Sequence, residues 1–203
     1  MRVAMVWRYR GAVLYLASQS PQRAMLLTRA GLRFTVVGST GDEDTVSGLL
    51  PEPLAEGRAR IKAAGAVLPP GAAGTVLGAD TVVALGDEVF GKPVDDADGF
   101  RILHRLQGTT HRVITGHHLI RLADGLGVSG IAVAEVTMRP LRDSEIHAYL
   151  ATGEHRGRAG AYAIQETGDR FVTALDGPWD AVVGLDVATV RRLLQTLSSA
   201  ETV

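Results

Sequence analysis

Apolar and polar positions follow two patterns along the chain, and each pattern predicts one kind of element. Apolar runs and alternating stretches predict β-strands at 13–17, 34–37, 75–85, 89–90, 111–122, 130–140, 161–164 and 171–175. Apolar residues bounded by capping and breaking residues predict helices at 21–31, 54–67, 95–108, 142–153 and 187–197. Because strands are mixed with helices, we expect an α/β fold built on a mixed β-sheet.

The first predicted strand runs directly into a turn that contains two serines. Ser20 is a natural N-cap, and Pro21 suits the first turn of a helix, where its missing N–H leaves no hydrogen bond unmade. The free N–H groups at such a helix start favour an anion. Arg23 lies in the same turn and opposes the helix dipole, and a bound phosphate would remove that conflict. An ordinary strand–helix turn with a surface arginine explains these residues equally well.

Composition restricts the classes of protein to which the chain can belong. Its 203 residues suffice for one large domain or two small lobes, and a formal net charge of −1 gives no general attraction to nucleic acid. Cysteine is absent, which excludes disulfides, thiolate metal sites and cysteine nucleophiles. No apolar run reaches the length of a membrane span, and the first residues lack the apolar core of a signal peptide. We therefore expect a cytoplasmic protein that binds neither membrane nor nucleic acid.

The basic residues are divided very unevenly between lysine and arginine. Lysine occurs only as Lys62 and Lys92, so 19 of the 21 basic side chains are arginine. A compact, strongly hydrated ammonium differs from a planar guanidinium in what it binds. The two lysines are therefore candidates for a role that arginine cannot fulfil, and their survival by chance is the alternative. Lys92 also stands between Gly91 and Pro93, in a stiff loop after a strand, which suits contact with a phosphate.

Asp80 interrupts a strand that is otherwise apolar. A buried carboxylate is costly unless it is paired or binds a metal ion. Glu43, in an acidic loop nearer the N-terminus, could join it, because two carboxylates and phosphate oxygens form the oxygen-rich site that Mg²⁺ prefers. A buried aspartate that is only hydrogen-bonded to a turn is the alternative.

The segment 157–171 combines small residues with Tyr162 and Gln165. Small residues let a ligand approach the backbone closely, and the amide of Gln165 offers both a donor and an acceptor to the edge of a base. A tightly packed strand with a polar end is the competing interpretation.

Two other patterns carry no chemistry. The glycines at 125–130 match G-x-G-x-x-G, but a strand follows them instead of a helix, so we expect a hairpin turn. His117 and His118 are adjacent in a predicted strand and point to opposite faces, so they cannot chelate one ion together.

Six short segments resemble, in order and spacing, the motifs of the Maf nucleotide pyrophosphatases: "LASQSPQRAMLL", "GADTVV", "FGKP", "HRVITG", "AGAYAIQ" and "VVGL". The resemblance covers nearly the whole chain from Val13 onward. It implies one catalytic domain at 13–203 after an N-terminal extension at 1–12, with an elongated mixed sheet, flanking helices and two lobes around a central cleft, as in the inosine triphosphate pyrophosphatases. It also implies a cytoplasmic homodimer that hydrolyses nucleoside triphosphates to the monophosphate and pyrophosphate with Mg²⁺ or Mn²⁺.

The resemblance implies roles for individual residues. Asp80 falls at the position of the family's general base, and Glu43 at an acidic position that helps to hold the metal ion with it. The positions implied to contact the triphosphate are occupied by Ser18, Ser20, Arg23, Lys62 and Lys92. The positions linked to substrate choice are occupied by Gln22, Thr81 and Gln165, of which the last two are associated with choice of the base. At the last two of these positions the chain is similar to the branch that acts on dTTP and UTP.

Departures from the family pattern leave other functions open. Gln22 replaces the second basic position of the usual "SPRR", a cation linked to substrate choice, and "GEHRGRAGAY" stands in place of "EPLDKAGAY". A purine-directed pyrophosphatase that cleans the nucleotide pool is one alternative. A nucleotide-binding regulator of septum formation with little turnover is the other.

Overall fold

Seven strands form one mixed β-sheet in the computed structural model, which describes residues 13–165 and 167–200. The strands are β1 (Val13–Ala17), β2 (Phe34–Val37), β3 (Gly74–Leu85), β4 (Glu88–Phe90), β5 (Thr110–Arg121), β6 (Gly127–Met138) and β7 (Val172–Asp176). The helices are α1 (Pro21–Arg29), α2 (Pro51–Ala64), α3 (Asp96–Leu106), α4 (Asp143–Leu150), α5 (Trp179–Val183) and α6 (Val187–Ser199). The predicted α/β fold with a mixed sheet is confirmed.

The strand β3 changes its partner part-way along one edge. The strand order is β2-β1-β3-β5-β6-β7, with β1 parallel to both of its neighbours and the other pairs antiparallel. β5 occupies one edge of β3 from 75 to 84, while β1 pairs with the other edge from 74 to 77 and β4 pairs with it from 83 to 85. In the described part of the chain, 78–82 therefore has no strand partner on that second edge. Asp80 lies at the middle of this gap.

The helix α2 approaches one face of the sheet very closely. A Cβ at Gly78 would lie 2.2 Å from the carbonyl oxygen of Ala59, and one at Gly116 would lie 2.4 Å from a carbonyl oxygen one turn earlier in α2. Only glycine leaves room for helix backbone at these two positions. This close approach brings Lys62 of α2 to Asp80 of β3.

Two apolar clusters cover the opposite face of the sheet. One joins α1 and α6 to the sheet through Leu16, Leu26, Leu77, Leu119 and Leu194. The other joins α3 and α4 to it through Val83, Phe90, Leu103, Val113 and Ile146. Trp179 and Val183 pack against both clusters, so α5 lies between them.

Several predicted elements differ from the structure. The strand predicted at 130–140 forms at Gly127–Met138, the helix predicted at 142–153 ends at Leu150, and α5 was not predicted. The strand predicted at 161–164 is wrong: Gly160 and Ala161 have φ values of +73° and +59°, and the chain forms a short 3₁₀ turn there. The left-handed region is incompatible with a strand. The helix predicted at 54–67 begins earlier, at Pro51, and ends earlier, at Ala64, because Gly65 caps it and the following residues bridge to the loop after β2.

Of the two patterns that we set aside, the glycine pattern spans a turn and a strand. Gly125 lies in the turn between β5 and β6, as predicted, whereas Gly127 and Gly130 lie in β6 and pair with β5. His117 and His118 have different partners, as predicted. The ring of His117 accepts a hydrogen bond from the backbone N–H of Asp186, whereas His118 contacts Ser129. Among the described residues, no helix is both long and apolar enough to cross a membrane.

Candidate active site

The gap at the edge of β3 opens into a cleft of about 810 Å³. Its walls come from the turn after β1, the loop before α2, α2 itself, β3, the loop after β4 and the segment before β7. All ten residues put forward from the sequence line this cleft: Ser18, Ser20, Gln22, Arg23, Glu43, Lys62, Asp80, Thr81, Lys92 and Gln165. The fold therefore gathers side chains that are far apart in the sequence around one space.

Lys62 joins the two candidate carboxylates. Its Nζ lies 2.7 Å from Oδ1 of Asp80 and forms an ion pair with Oε2 of Glu43. Burial raises the pKa of Asp80, and the positive charges of Lys62 and Arg23 oppose this only in part. Burial acts on Glu43 in the same direction, but the hydrogen bond and charge of Lys62 outweigh it and lower the pKa of Glu43. Asp80 is thus the better proton acceptor, and Glu43 is the more firmly ionised group.

The two carboxylates fit a divalent cation. Oδ2 of Asp80 is buried and has no hydrogen-bond partner among the described residues. A hard cation that takes its remaining ligands from water and phosphate would satisfy this oxygen. Within the described ranges no cluster of three or more histidine, aspartate or glutamate residues is arranged to hold a metal ion. The protein would therefore supply Asp80 and Glu43, and the substrate and solvent would supply the rest.

The serine turn has the predicted capped geometry. Oγ of Ser20 accepts a hydrogen bond from the backbone N–H of Arg23 at 3.5 Å and donates one to Oε1 of Gln22 at 3.1 Å. Oγ of Ser18 accepts one from the backbone N–H of Ser20 at 3.2 Å. These bonds stabilise one shape of the turn where it borders the cleft.

Arg23 is buried in the cleft wall. Its exposed fraction is 9%, and its Nε donates to the carbonyl oxygen of Gly184 at 2.8 Å. The terminal nitrogens donate to Oγ of Ser18 at 3.1 Å and to Oγ1 of Thr81 at 3.5 Å. Burial lowers the pKa of Arg23, and the two nearby carboxylates oppose that shift. The alternative of a surface arginine in an ordinary turn is therefore wrong.

Three further residues at the cleft were not predicted from the sequence. Arg156 and Arg158 line it, and Arg156 also contacts Asp96 at 3.3 Å. Both belong to "GEHRGRAGAY", the segment that departs from the family pattern. The arginines of this segment were the sequence feature that could have indicated a role at the cleft. Thr115 of β5 stands 2.9 Å behind Thr81. Thr115 belongs to the motif "HRVITG", but the motif assigned it no role, because its contact with Thr81 depends on the register between two strands.

Comparison with known proteins shows the family to which the chain belongs. The family model described as "Maf-like protein" matches residues 13–197. This chain belongs to the Maf family. The resemblance inferred from the six motifs is thereby confirmed over nearly the whole of the described chain.

Relatives of this Maf protein are similar over almost their full length. A dTTP/UTP pyrophosphatase from Pseudoalteromonas translucida is 41% identical over 183 residues, which cover 90% of this chain and 96% of the relative. One from Geobacter sulfurreducens is 43% identical over 182 residues, covering 87% and 92%. One from Anaeromyxobacter dehalogenans is 44% identical over 184 residues, covering 90% and 92%.

Proposed function

We propose that this Maf protein hydrolyses a nucleoside triphosphate to the monophosphate and pyrophosphate, with dTTP and UTP as preferred substrates. The observation that carries the proposal is one cleft lined by three cations, Arg23, Lys62 and Lys92, and by the buried carboxylate of Asp80, which contacts Lys62. The relatives named as dTTP/UTP pyrophosphatases support the choice of substrate.

Asp80 is the general base in this proposal. Burial raises its pKa, which makes its carboxylate a stronger base than an exposed aspartate. It orients a water molecule toward the α-phosphorus and takes its proton as the new P–O bond forms. The bond between the α-phosphorus and the bridging oxygen breaks, and its electron pair leaves with pyrophosphate. Lys62 beside Asp80 favours the ionised carboxylate that this step requires.

The cations of the cleft bind the phosphates and stabilise the charge that develops on the leaving group. Lys92 is exposed on the loop after β4, and its positive charge contributes to lowering the pKa of Glu43. Arg23 is held rigidly by the protein, so little reorganisation accompanies the reaction. Mg²⁺ or Mn²⁺ held by Asp80 and Glu43 would neutralise phosphate charge when bound.

Three wider features are part of the proposal. We infer that 13–203 is one catalytic domain, supported by the family match from 13 to 197. The extension at 1–12 lies outside the described residues. We further propose that the protein is a homodimer and acts in the cytoplasm.

Pyrophosphate release with Mg²⁺ or Mn²⁺ across canonical and modified nucleoside triphosphates tests the proposed function. We expect UTP and dTTP to be hydrolysed fastest. A purine nucleotide in first place would favour the pool-cleaning alternative. Release from no nucleotide, with intact nucleotide binding, would favour the septum regulator.

A further inference from the structure

Three oxygen atoms in a row connect the cleft to α5. Oγ1 of Thr81 lies 2.9 Å from Oγ1 of Thr115, which lies 2.7 Å from the carbonyl oxygen of Ala181. Thr115 and Ala181 are fully buried, at 0% exposure each. Thr81 and Thr115 are directly opposite each other in the register of β3 and β5, so the sheet itself holds the two hydroxyls together.

The direction of each hydrogen bond follows from the groups involved. A carbonyl oxygen only accepts, so Thr115 donates its single hydroxyl proton to Ala181. Toward Thr81, Thr115 can then only accept a hydrogen bond. Thr81 donates it, so the hydroxyl proton of Thr81 is used as well. Arg23 is purely a donor, and it contacts the same oxygen of Thr81 at 3.5 Å. Toward the cleft, Thr81 therefore offers its remaining lone pair and no proton.

We propose that Thr115 is a positioning residue that fixes Thr81 as a hydrogen-bond acceptor, and that the cleft thereby selects a base that presents an N–H at this point. The N3–H of uracil and thymine is such a donor, whereas N3 of cytosine is an acceptor. If the base presents an acceptor to Thr81, which also acts as an acceptor, no hydrogen bond forms and both buried groups stay unpaired. The inference rests on the proposed function and supplies a physical reason for the choice of base.

Gln165 does not provide the same discrimination. Its amide carries a donor and an acceptor, and rotation of the side chain exchanges the two. Thr81 has no such freedom while Thr115 accepts its proton. Of the two positions associated with the base, one is adaptable and the other has a fixed polarity.

The test compares kcat/KM for UTP and CTP in variants of Thr115. Thr115→Val removes the acceptor for the Thr81 proton, which is then free to turn toward the base. We expect the UTP-to-CTP ratio to fall roughly tenfold, the size of one net hydrogen bond. Thr115→Ser retains the hydroxyl and is expected to retain the ratio. Thr110→Val is the matched control, because it removes an exposed hydroxyl from the same strand that also lies 2.9 Å from a cross-strand threonine.

A second measurement tests whether the base must present an N–H, and it needs no variant that could fail to fold. The wild-type protein is assayed with UTP and with N3-methyl-UTP, which lacks the donor. We expect UTP to be hydrolysed at least tenfold faster. Dissociation constants of α,β-methylene UTP and α,β-methylene CTP, which cannot lose pyrophosphate, show whether the preference arises in binding.

The outcomes distinguish this inference from the proposed function. Hydrolysis of UTP with no preference over CTP, or an unchanged ratio in folded Thr115→Val, overturns the inference and leaves the function standing. Release from no nucleotide overturns the function and the inference together. If Thr115→Val does not fold, equal rates with UTP and N3-methyl-UTP overturn the inference.

Discussion

The ammonium nitrogen of Lys62 lies 2.7 Å from a carboxylate oxygen of Asp80, and the same ammonium pairs with Glu43. The three residues belong to α2, β3 and the loop between β2 and α2, so the contact joins three elements at the cleft. Two carboxylates around one cation leave no spare positive charge there. The charge of an incoming triphosphate must therefore be met by other cations, and Arg23, Lys92, Arg156 and Arg158 line the cleft as candidates.

Replacement of Asp80 tests the base directly. We expect Asp80→Asn to lower kcat by about 10²- to 10⁴-fold, because an amide cannot take the proton of the attacking water. Nucleotide affinity should change little. Pyrophosphate release and equilibrium binding of UTP measure the two effects. Asp87→Asn, in the exposed turn between β3 and β4, is the control, and turnover retained in Asp80→Asn would remove this residue from the mechanism.

Lys92 is expected to act on the transition state. Its side chain lines the cleft from an exposed loop, where we propose that it binds the phosphates, so Lys92→Ala should lower kcat/KM by about 10- to 100-fold through lost charge stabilisation. Steady-state kinetics with UTP measure the change. Arg142→Ala, which removes a cation with an 83% exposed side chain outside the cleft, should leave kcat/KM unaltered. An equal kcat/KM in Lys92→Ala and the wild type would refute the role.

A substitution at position 22 tests the effect of the basic residue that is usual in the family and is absent from this chain. Gln22 lines the cleft beside the serine turn, so Gln22→Arg adds a positive charge next to the phosphates. We expect KM for triphosphates to fall roughly two- to fivefold at low salt, because an exposed charge pair contributes up to about 1 kcal/mol. This decrease in KM should become smaller as ionic strength rises. The order of preferred bases should stay the same.

A matched charge elsewhere controls for general electrostatics. Gln195→Arg adds the same group on the exposed side of α6, and KM should not change there. A changed order of bases in Gln22→Arg alone would mean that this position contacts the base and not the phosphates.

His117 makes stability depend on pH. Its Nε2 accepts a hydrogen bond from the backbone N–H of Asp186 at 2.9 Å, and burial lowers the pKa of His117 to about 4. In the unfolded chain the pKa is about 6.5, so the unfolded state binds the proton first as pH falls. The free energy of unfolding should therefore decline from about pH 6.5 toward pH 4, by up to about 1.4 kcal/mol per pH unit for this group. Burial lowers the pKa of His111 to about 4 as well, and it lowers the pKa of His118, so both contribute in the same direction.

Urea unfolding at a series of pH values measures this slope. His117→Gln should reduce the slope of unfolding free energy against pH by the equivalent of about one bound proton. The contribution of His111 should remain. His104→Gln, at a side chain that is 56% exposed, is the control. An identical slope in His117→Gln and the wild type would contradict the prediction.

Local chemistry made much of this protein predictable from its sequence. Ser20 and Pro21 specify the start of α1 because capping and the missing N–H of proline act within one turn of helix. Apolar periodicity located the long strands because burial of one face or both faces leaves a repeat in the sequence. Where local preference was misleading, as at Gly160 and Ala161, the alternation of small and apolar residues could not reveal a left-handed turn.

The sequence by itself determined the family, the main elements and ten residues of the cleft, since motifs and periodicity are properties of residue order. Only the tertiary structure decided which of these groups touch. The pairing of Lys62 with Asp80 requires α2 to approach β3 within the space that a glycine leaves. The contact between Thr81 and Thr115 requires one register of two antiparallel strands. Such contacts depend on packing between distant segments, and no local pattern in the chain encodes them.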